Sequence, residues 1–149
     1  MALSVIIPIY NEITSLKIIL ERVQSTKLAE EIILIDDGST DGTRDVLTSL
    51  EGNPGIKVIF HSQNQGKGAA VRSGISIATG SIVIIQDADL EYDPRDYPAL
   101  LKPYRGRQSR RGLRISFPWR PSPGNHVLAH DCQQNTYSYN KFTIRHHPE

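Results

Sequence analysis

Two carboxylates one residue apart, Asp87 and Asp89, follow the apolar run Ile82-Val83-Ile84-Ile85, with Gln86 between. Hard oxygen ligands in that pattern suit Mg²⁺ or Mn²⁺, which bind carboxylates while bridging to phosphates. An apolar run of this length reads as a strand buried on both faces, as in a parallel α/β sheet. Open sheets of that kind bind ligands at the carboxyl ends of their strands. By itself an Asp-x-Asp is equally well an acidic turn, so the weight rests on what else reaches the same edge.

Three other segments carry chemistry-bearing residues. Pro8-Ile9-Tyr10-Asn11-Glu12 ends the first apolar run. Pro8 has no N–H to give a ladder and fits a strand's end. Tyr10 could stack on a flat base, and Glu12 could accept hydrogen bonds from a ribose or a base edge. The bland alternative is a strand end with Asn11 opening a helix. Asp36-Asp37-Gly38-Ser39-Thr40-Asp41-Gly42 ends the second run. One of its carboxylates can hold a ribose hydroxyl or a base N–H while the others cap the turn, although acids in a turn are often only solvated. Asn64-Gln65-Gly66-Lys67-Gly68 opens a helix whose first N–H groups, with Lys67, could meet phosphate. It is not the G-x-x-x-x-G-K-[ST] phosphate loop, and a solvated Lys67 is the plain alternative.

The elements that must position these residues alternate in type. Leu3 to Tyr10, Glu31 to Ile35, Lys57 to Phe60 and Ile82 to Ile85 read as strands. Leu16, Ile19, Leu20 and Val23 recur at helical spacing, as do Val46, Leu47 and Leu50, and then Ala70, Val71, Gly74, Ile75 and Ala78, with Gly80 as the stop. This rhythm predicts βαβ units with right-handed crossovers and a mainly parallel sheet. Three acidic or polar strand ends then fall on one edge.

At 149 residues the chain is one domain with room for a core. It holds no run of about 18 apolar residues, and its start does not read as a signal peptide. A lone Cys132 excludes an internal disulfide and points to a reducing compartment. Residues 1–103 carry a net charge of −5, whereas residues 104–149 carry +6 and lose all periodicity. Only Leu113, Ile115, Phe117 and Trp119 alternate there, as a short edge strand would. His126, His130, Asp131 and Cys132 look superficially like metal ligands, but Pro121, Pro123 and Gly124 argue against the helix that would gather them.

Taken together, the four motifs through Gln86-Asp87-Ala88-Asp89-Leu90 resemble the inverting family 2 glycosyltransferases, over residues 3 to about 103. Within that family they look most like polyprenyl- or dolichol-phosphate mannosyl- and glucosyltransferases. The resemblance implies the GT-A fold, a Rossmann-like nucleotide-sugar-binding half with a mainly parallel sheet. It implies that Pro8, Tyr10, Glu12, Ile35 and Asp37 line the nucleotide. Asp87 and Asp89 would hold Mg²⁺ or Mn²⁺ on the diphosphate, with Ala88 beside them. It implies transfer from GDP-mannose or UDP-glucose to a polyprenyl phosphate or another acceptor, with no nucleic-acid partner. The expected location is cytoplasmic, peripheral at the membrane face.

The likeness fails where the acceptor half should begin. Family members continue with a strand and a motif like GKADVVYGSR, whose arginine lies near the diphosphate. Residues 107–120, back-translated with suitable codons and read from the second base, spell GKADVVYGSRFLG. The expectation is a frame shift near Pro103 to Gly106. Residues 1–103 would form the GT-A nucleotide-sugar-binding region, and residues 104–149 an irregular, frame-shifted or disordered tail. Such a chain would be truncated and poorly active, with no identifiable catalytic base. The rival reading is a non-catalytic, metal-dependent nucleotide-binding module. A phosphoacceptor domain fits less well, since Lys67 precedes the fourth strand. So does a nucleotidyltransferase, which opens with a Gly-rich loop after its first strand.

Overall fold

Strand and helix alternate strictly from Leu3 to Ile85 in the computed structural model, which describes residues 2–104 and the backbone of three short strands beyond them. The order is β1 (Leu3–Ile9), α1 (Leu16–Ser25), β2 (Glu31–Asp36), α2 (Thr43–Thr48), β3 (Ile56–Phe60), α3 (Lys67–Ile77) and β4 (Ile82–Ile85). A 3₁₀ turn at Pro94–Asp96 then leads into α4 (Tyr97–Leu101). The later strands are β5 (Arg114–Ser116), β6 (Thr136–Tyr139) and β7 (Phe142–Arg145).

Strands β1 to β5 form one parallel sheet in the order β3-β2-β1-β4-β5. The chain moves outward from β1 to β3, then α3 carries it back across the sheet to β4. The order therefore reverses between β1 and β4, the switch point at which α/β sheets open a crevice.

Both faces are covered, which is why the strands are apolar without a polar face. Val5, Ile7 and Ile9 of β1 join Ile32, Leu34, Ile82 and Ile84 under α1, α2 and α4. Their neighbours Ile6, Ile33, Ile35, Val83 and Ile85 pack on the other face against Ala70 and Val71 of α3. Gly74 lets α3 lie this close, because a Cβ there would stand 2.6 Å from Ile6 Cγ2 and 2.9 Å from Ile35 Cδ1. Helix α3 ends at Ile77, three residues before the Gly80 that the sequence suggested as its stop. Gly80 instead presses the following turn onto Ser4, to whose hydroxyl it donates at 2.9 Å.

At the amino edge one carboxylate ties four elements together. Glu31 accepts from the Ser4 hydroxyl, from Thr79 N at 2.6 Å and from Gly80 N at 3.1 Å, and pairs with Lys57 Nζ at 2.7 Å. Burial pushes its carboxyl up, but Lys57 and the donors from Ser4 and Thr79 outweigh that and hold the pKa at about 2, against 4.5 for an unperturbed glutamate. A lowered folded pKa contributes stability that is present above pH 4.5 and lost as pH falls from there towards 2. Glu31→Gln is accordingly expected to lower stability at pH 7 by on the order of 3 kcal/mol and to flatten the acid limb of a urea-melt series between about pH 5 and pH 2. An unchanged acid limb would remove Glu31 from that role.

One stretch differs from the sequence reading. Residues 90–103 received no element, yet they form the 3₁₀ turn and α4. The signals are local: Asp93 caps the turn by accepting from Arg95 N at 2.9 Å, Pro94 sits at its start, and Tyr97 and Leu101 are buried one helical turn apart. Further on, β5 adds to the sheet's edge beside β4, at the alternation around Ile115 that read as a short edge strand, and β6 pairs antiparallel with β7. Among the described residues no helix is long and apolar enough to cross a membrane.

Candidate functional site

Four chain segments meet at the carboxyl edge, around a cleft of about 270 Å³. The end of β1 supplies Pro8, Ile9, Tyr10 and Glu12; the end of β2 supplies Asp37; the start of α3 supplies Asn64, Lys67 and Ala70; the end of β4 supplies Asp87, Ala88 and Asp89. Every residue expected at the site lines this cleft except Ile35. Ile35 points into the core beneath α3 and is fully buried, because its position in β2 faces the α3 side of the sheet. His126, His130, Asp131 and Cys132 lie outside the described residues.

The polar motif after β2 stitches the edge together. Asn11 adopts a left-handed backbone (φ 55°), donates its N–H to Ser39 Oγ at 3.0 Å and accepts from Thr40 N at 2.8 Å. Glu12 N donates to Thr43 Oγ1 at 3.1 Å, and the Glu12 carboxylate accepts from the Ser15 hydroxyl. Asp41 caps Thr43 N at 3.0 Å and receives Ile13 N at 3.2 Å. Asp36 is wholly buried, accepts from Ser39 N at 3.1 Å and faces Arg44 Nε at 3.4 Å. Arg44 in turn donates to His61 O at 2.9 Å and stacks over Phe60.

Asp37 binds the third loop. Its Oδ1 meets His61 Nδ1 at 2.6 Å and Gln65 N at 3.0 Å, and its Oδ2 accepts from Gly66 N at 2.8 Å. Burial raises its carboxyl, yet the bonds from Gln65, His61 and Gly66 outweigh this and keep it below the usual aspartate range. An ionised carboxylate offers about four acceptor directions, so roughly one remains for a ligand donor. His61 is itself held from behind, with Nε2 at 2.9 Å from Ser73 Oγ on α3.

The carboxylates after β4 are braced differently. Gln86 is buried; its amide donates to Asp87 O at 3.1 Å and Tyr92 O at 3.0 Å, while its Oε1 accepts from Tyr97 OH at 2.8 Å. Burial pushes the Tyr97 phenol up, so it stays a donor. The loop from Asp87 to Tyr92 is thereby fixed, and the left-handed Leu90 (φ 67°) turns it. Asp89 accepts from Glu91 N at 3.1 Å. Asp87 Oδ1 lies 2.5 Å from Lys67 Nζ. Tyr10 is half exposed at the rim, with its ring available to a flat partner. Sequence reasoning missed His61, Ser73, Gln86 and Tyr97 as supports. Gln86, adjoining the carboxylates, was the one with a local signal.

The sequence model described as Glycosyl transferase family 2 matches residues 4–109. An undecaprenyl-phosphate 4-deoxy-4-formamido-L-arabinose transferase of Serratia proteamaculans is 42% identical over 105 residues, which are 66% of this chain and 32% of that protein. The counterpart of Aeromonas hydrophila is 40% identical over 106 residues. This chain thus spans about a third of the length of the relatives it matches. Glucosyl-3-phosphoglycerate synthase of Mycobacterium tuberculosis, solved with Mn²⁺ and UDP, superposes with a TM-score of 0.57 at 26% identity, over 69% of this chain and 39% of that one. S. aureus TarS shares the fold, with a TM-score of 0.58 at 22% identity over 75% of this chain and 39% of its own. The parallel sheet, the carboxyl-edge cleft and a family match running through both carboxylates make this chain a member of glycosyltransferase family 2, with the GT-A fold.

Proposed function

We propose that residues 2–104 are the donor half of a sugar transferase, taking a nucleoside-diphosphate sugar in the carboxyl-edge cleft and a divalent cation at Asp87 and Asp89. The observation that carries this reading is the convergence of four chain segments at the switch point, with carboxylates and one lysine on the walls. In this reading Tyr10 stacks on the base beside Pro8, Glu12 and Asp37 accept from ribose or base, and Lys67 faces phosphate. Ala88, small and buried, leaves room between the two aspartates.

The side chains fit Mg²⁺ or Mn²⁺. Asp87 and Asp89 are hard oxygen donors, and a cation already sits against Asp87. Among the described residues there is no group of three or more acids, His or Cys to cage an ion. Two carboxylates, with waters and diphosphate oxygens completing the shell, are what such ions use on phosphate substrates. Bound there, the cation would supply Lewis-acid stabilisation of the leaving diphosphate. UDP bound beside Mn²⁺ in the mycobacterial synthase favours a UDP-sugar as first candidate over a GDP-sugar. The undecaprenyl-phosphate relatives favour a lipid phosphate acceptor, and with it a position at the membrane face.

The family match stops at residue 109, close to the point where charge and periodicity change. We propose that residues 104–149 are read out of frame from an acceptor half, as the hidden GKADVVYGSRFLG string suggests.

Calorimetry separates this reading from a cleft with no ligand. UDP or GDP is expected to bind with Mn²⁺ present, to fail in EDTA and to fail for Asp89→Ala with Mn²⁺. Tyr10→Ala is expected to weaken binding by about 1–3 kcal/mol through lost stacking. Equal binding in EDTA would remove the cation from the site. Binding without any transfer once a full-length acceptor half is attached would favour a non-catalytic nucleotide-binding module.

A further inference from the structure

Four carboxylates line the cleft, from Glu12, Asp37, Asp87 and Asp89, and Lys67 is the only Lys or Arg among its lining residues. The acids are not equally free. Glu12 is engaged by Ser15, and Asp37 by His61, Gln65 and Gly66. Asp87 has Lys67 as its side-chain partner, at 2.5 Å. The pair is lopsided: the Lys67 side chain is 61% exposed and that of Asp87 19%. An ion pair with one partner in solvent is weak and gains little from its contact. Lys67 is the first residue of α3, whereas Asp87 sits on a loop fixed from below by Gln86. The carboxylate is held in place, and the ammonium, on a flexible four-carbon stem, is the group that can leave.

From this geometry, and resting on the donor-site reading above, we infer that Lys67 is an exchangeable counter-cation. It neutralises Asp87 while the cleft is empty, yields that carboxylate to the arriving divalent ion, and turns to the diphosphate that comes with it. A lysine ammonium and a divalent cation held on one carboxylate repel each other, so the two compete for Asp87. Once displaced, the ammonium faces acids whose charge is already shared, Glu12 with Ser15, Asp37 with His61, Gln65 and Gly66, and Asp89 with the same ion. The diphosphate supplies the missing negative charge. The exchange makes bare metal bind poorly and metal with nucleotide bind well. That discriminates against loading the site with an ion alone.

The sign of the effect is the test, because ordinary loss of a binding residue weakens everything. Lys67→Met removes a positive charge next to a divalent ion and should tighten bare Mn²⁺ by about tenfold at low salt, measured by electron paramagnetic resonance on the 149-residue chain. The same variant should bind UDP, in saturating Mn²⁺, about tenfold more weakly in calorimetry. Lys67→Arg should stay close to the parent in both. Unfolding curves like the parent's are expected for both variants, since the Lys67 side chain is exposed. Mn²⁺ affinity that is equal or weaker in Lys67→Met overturns the exchange while leaving the donor-site reading standing, provided Asp89→Ala still abolishes Mn²⁺ binding. Unchanged UDP affinity overturns the turn towards diphosphate. Absence of Mn²⁺ binding in parent and variant alike overturns the metal assignment itself, and the exchange falls with it.

Discussion

Gly38→Ala is expected to lower stability by about 4 kcal/mol or more, enough to leave much of the chain unfolded at 37 °C. Gly38 stands at φ +80°, where an L-residue costs roughly 1–2 kcal/mol. The larger part comes from contact. A Cβ at this position would lie 2.6 Å from Asn64 N, 2.7 Å from Gln63 C and 2.9 Å from Gln63 Cα. All three are backbone atoms of the loop that Asp37 clamps, so no side chain can swing away to make room. The loop must either move, breaking the bonds from Gln65 and Gly66 to Asp37, or the turn after β2 must open. A urea melt of the variant beside Gly52→Ala is the check. Gly52 has φ +80° too but nothing within 4 Å of its Cβ, so it isolates the conformational cost alone. Equal losses in the two variants would show that the close approach carries no weight.

On the proposed frame shift, restoring the reading frame carries the second large effect. A chain that continues after Gly106 with GKADVVYGSRFLG and a full acceptor half is expected to transfer sugar from a UDP- or GDP-sugar to polyprenyl phosphate. The 149-residue chain should show turnover lower by several orders of magnitude. The reason is positional. Sugar transfer needs donor, cation and acceptor held together, and misplacing one of them removes most of the rate advantage. The described residues supply the cleft's walls and two carboxylates, but the family match ends at residue 109. Radiolabelled sugar transferred to extracted lipid would read the difference. Turnover by the chain as it stands, at rates like the extended one, would mean that residues 104–149 complete the site.

Much of this arrangement could be read from residues alone, and the reasons differ by element. The first four strands announced themselves because a sheet covered on both faces demands apolar runs, and Ile82 to Ile85 could be little else. The cleft was legible because a parallel sheet sends every strand's carboxyl end to one edge, so motifs far apart in sequence converge. What stayed hidden depended on three-dimensional partners. Ile35 sits in the second motif's strand, but strand alternation turns it into the core. The residues alone gave one acid of the second motif to a ligand and the others to the turn without saying which; Asp36 and Asp41 hold loops, and Asp37 does so in part. His61 and Ser73 are twelve residues apart and signal nothing until α3 folds against β3's end. Helix α4, only five residues long, carried too few apolar positions for periodicity to appear.

The stitching of the carboxyl edge sets when entropy is lost. Asn11, Glu12 and Asp37 tie the three loops to one another through bonds that exist before any ligand arrives. Their disorder is therefore given up on folding, and a ligand entering the cleft meets walls already in position. Its affinity is not reduced by the freezing of a loop, as it would be for a site closed by a mobile lid. The converse follows for heat. Warming that loosens these ties returns the loops to a broader ensemble, so affinity declines with local opening at the edge, well before the apolar strands beneath it separate.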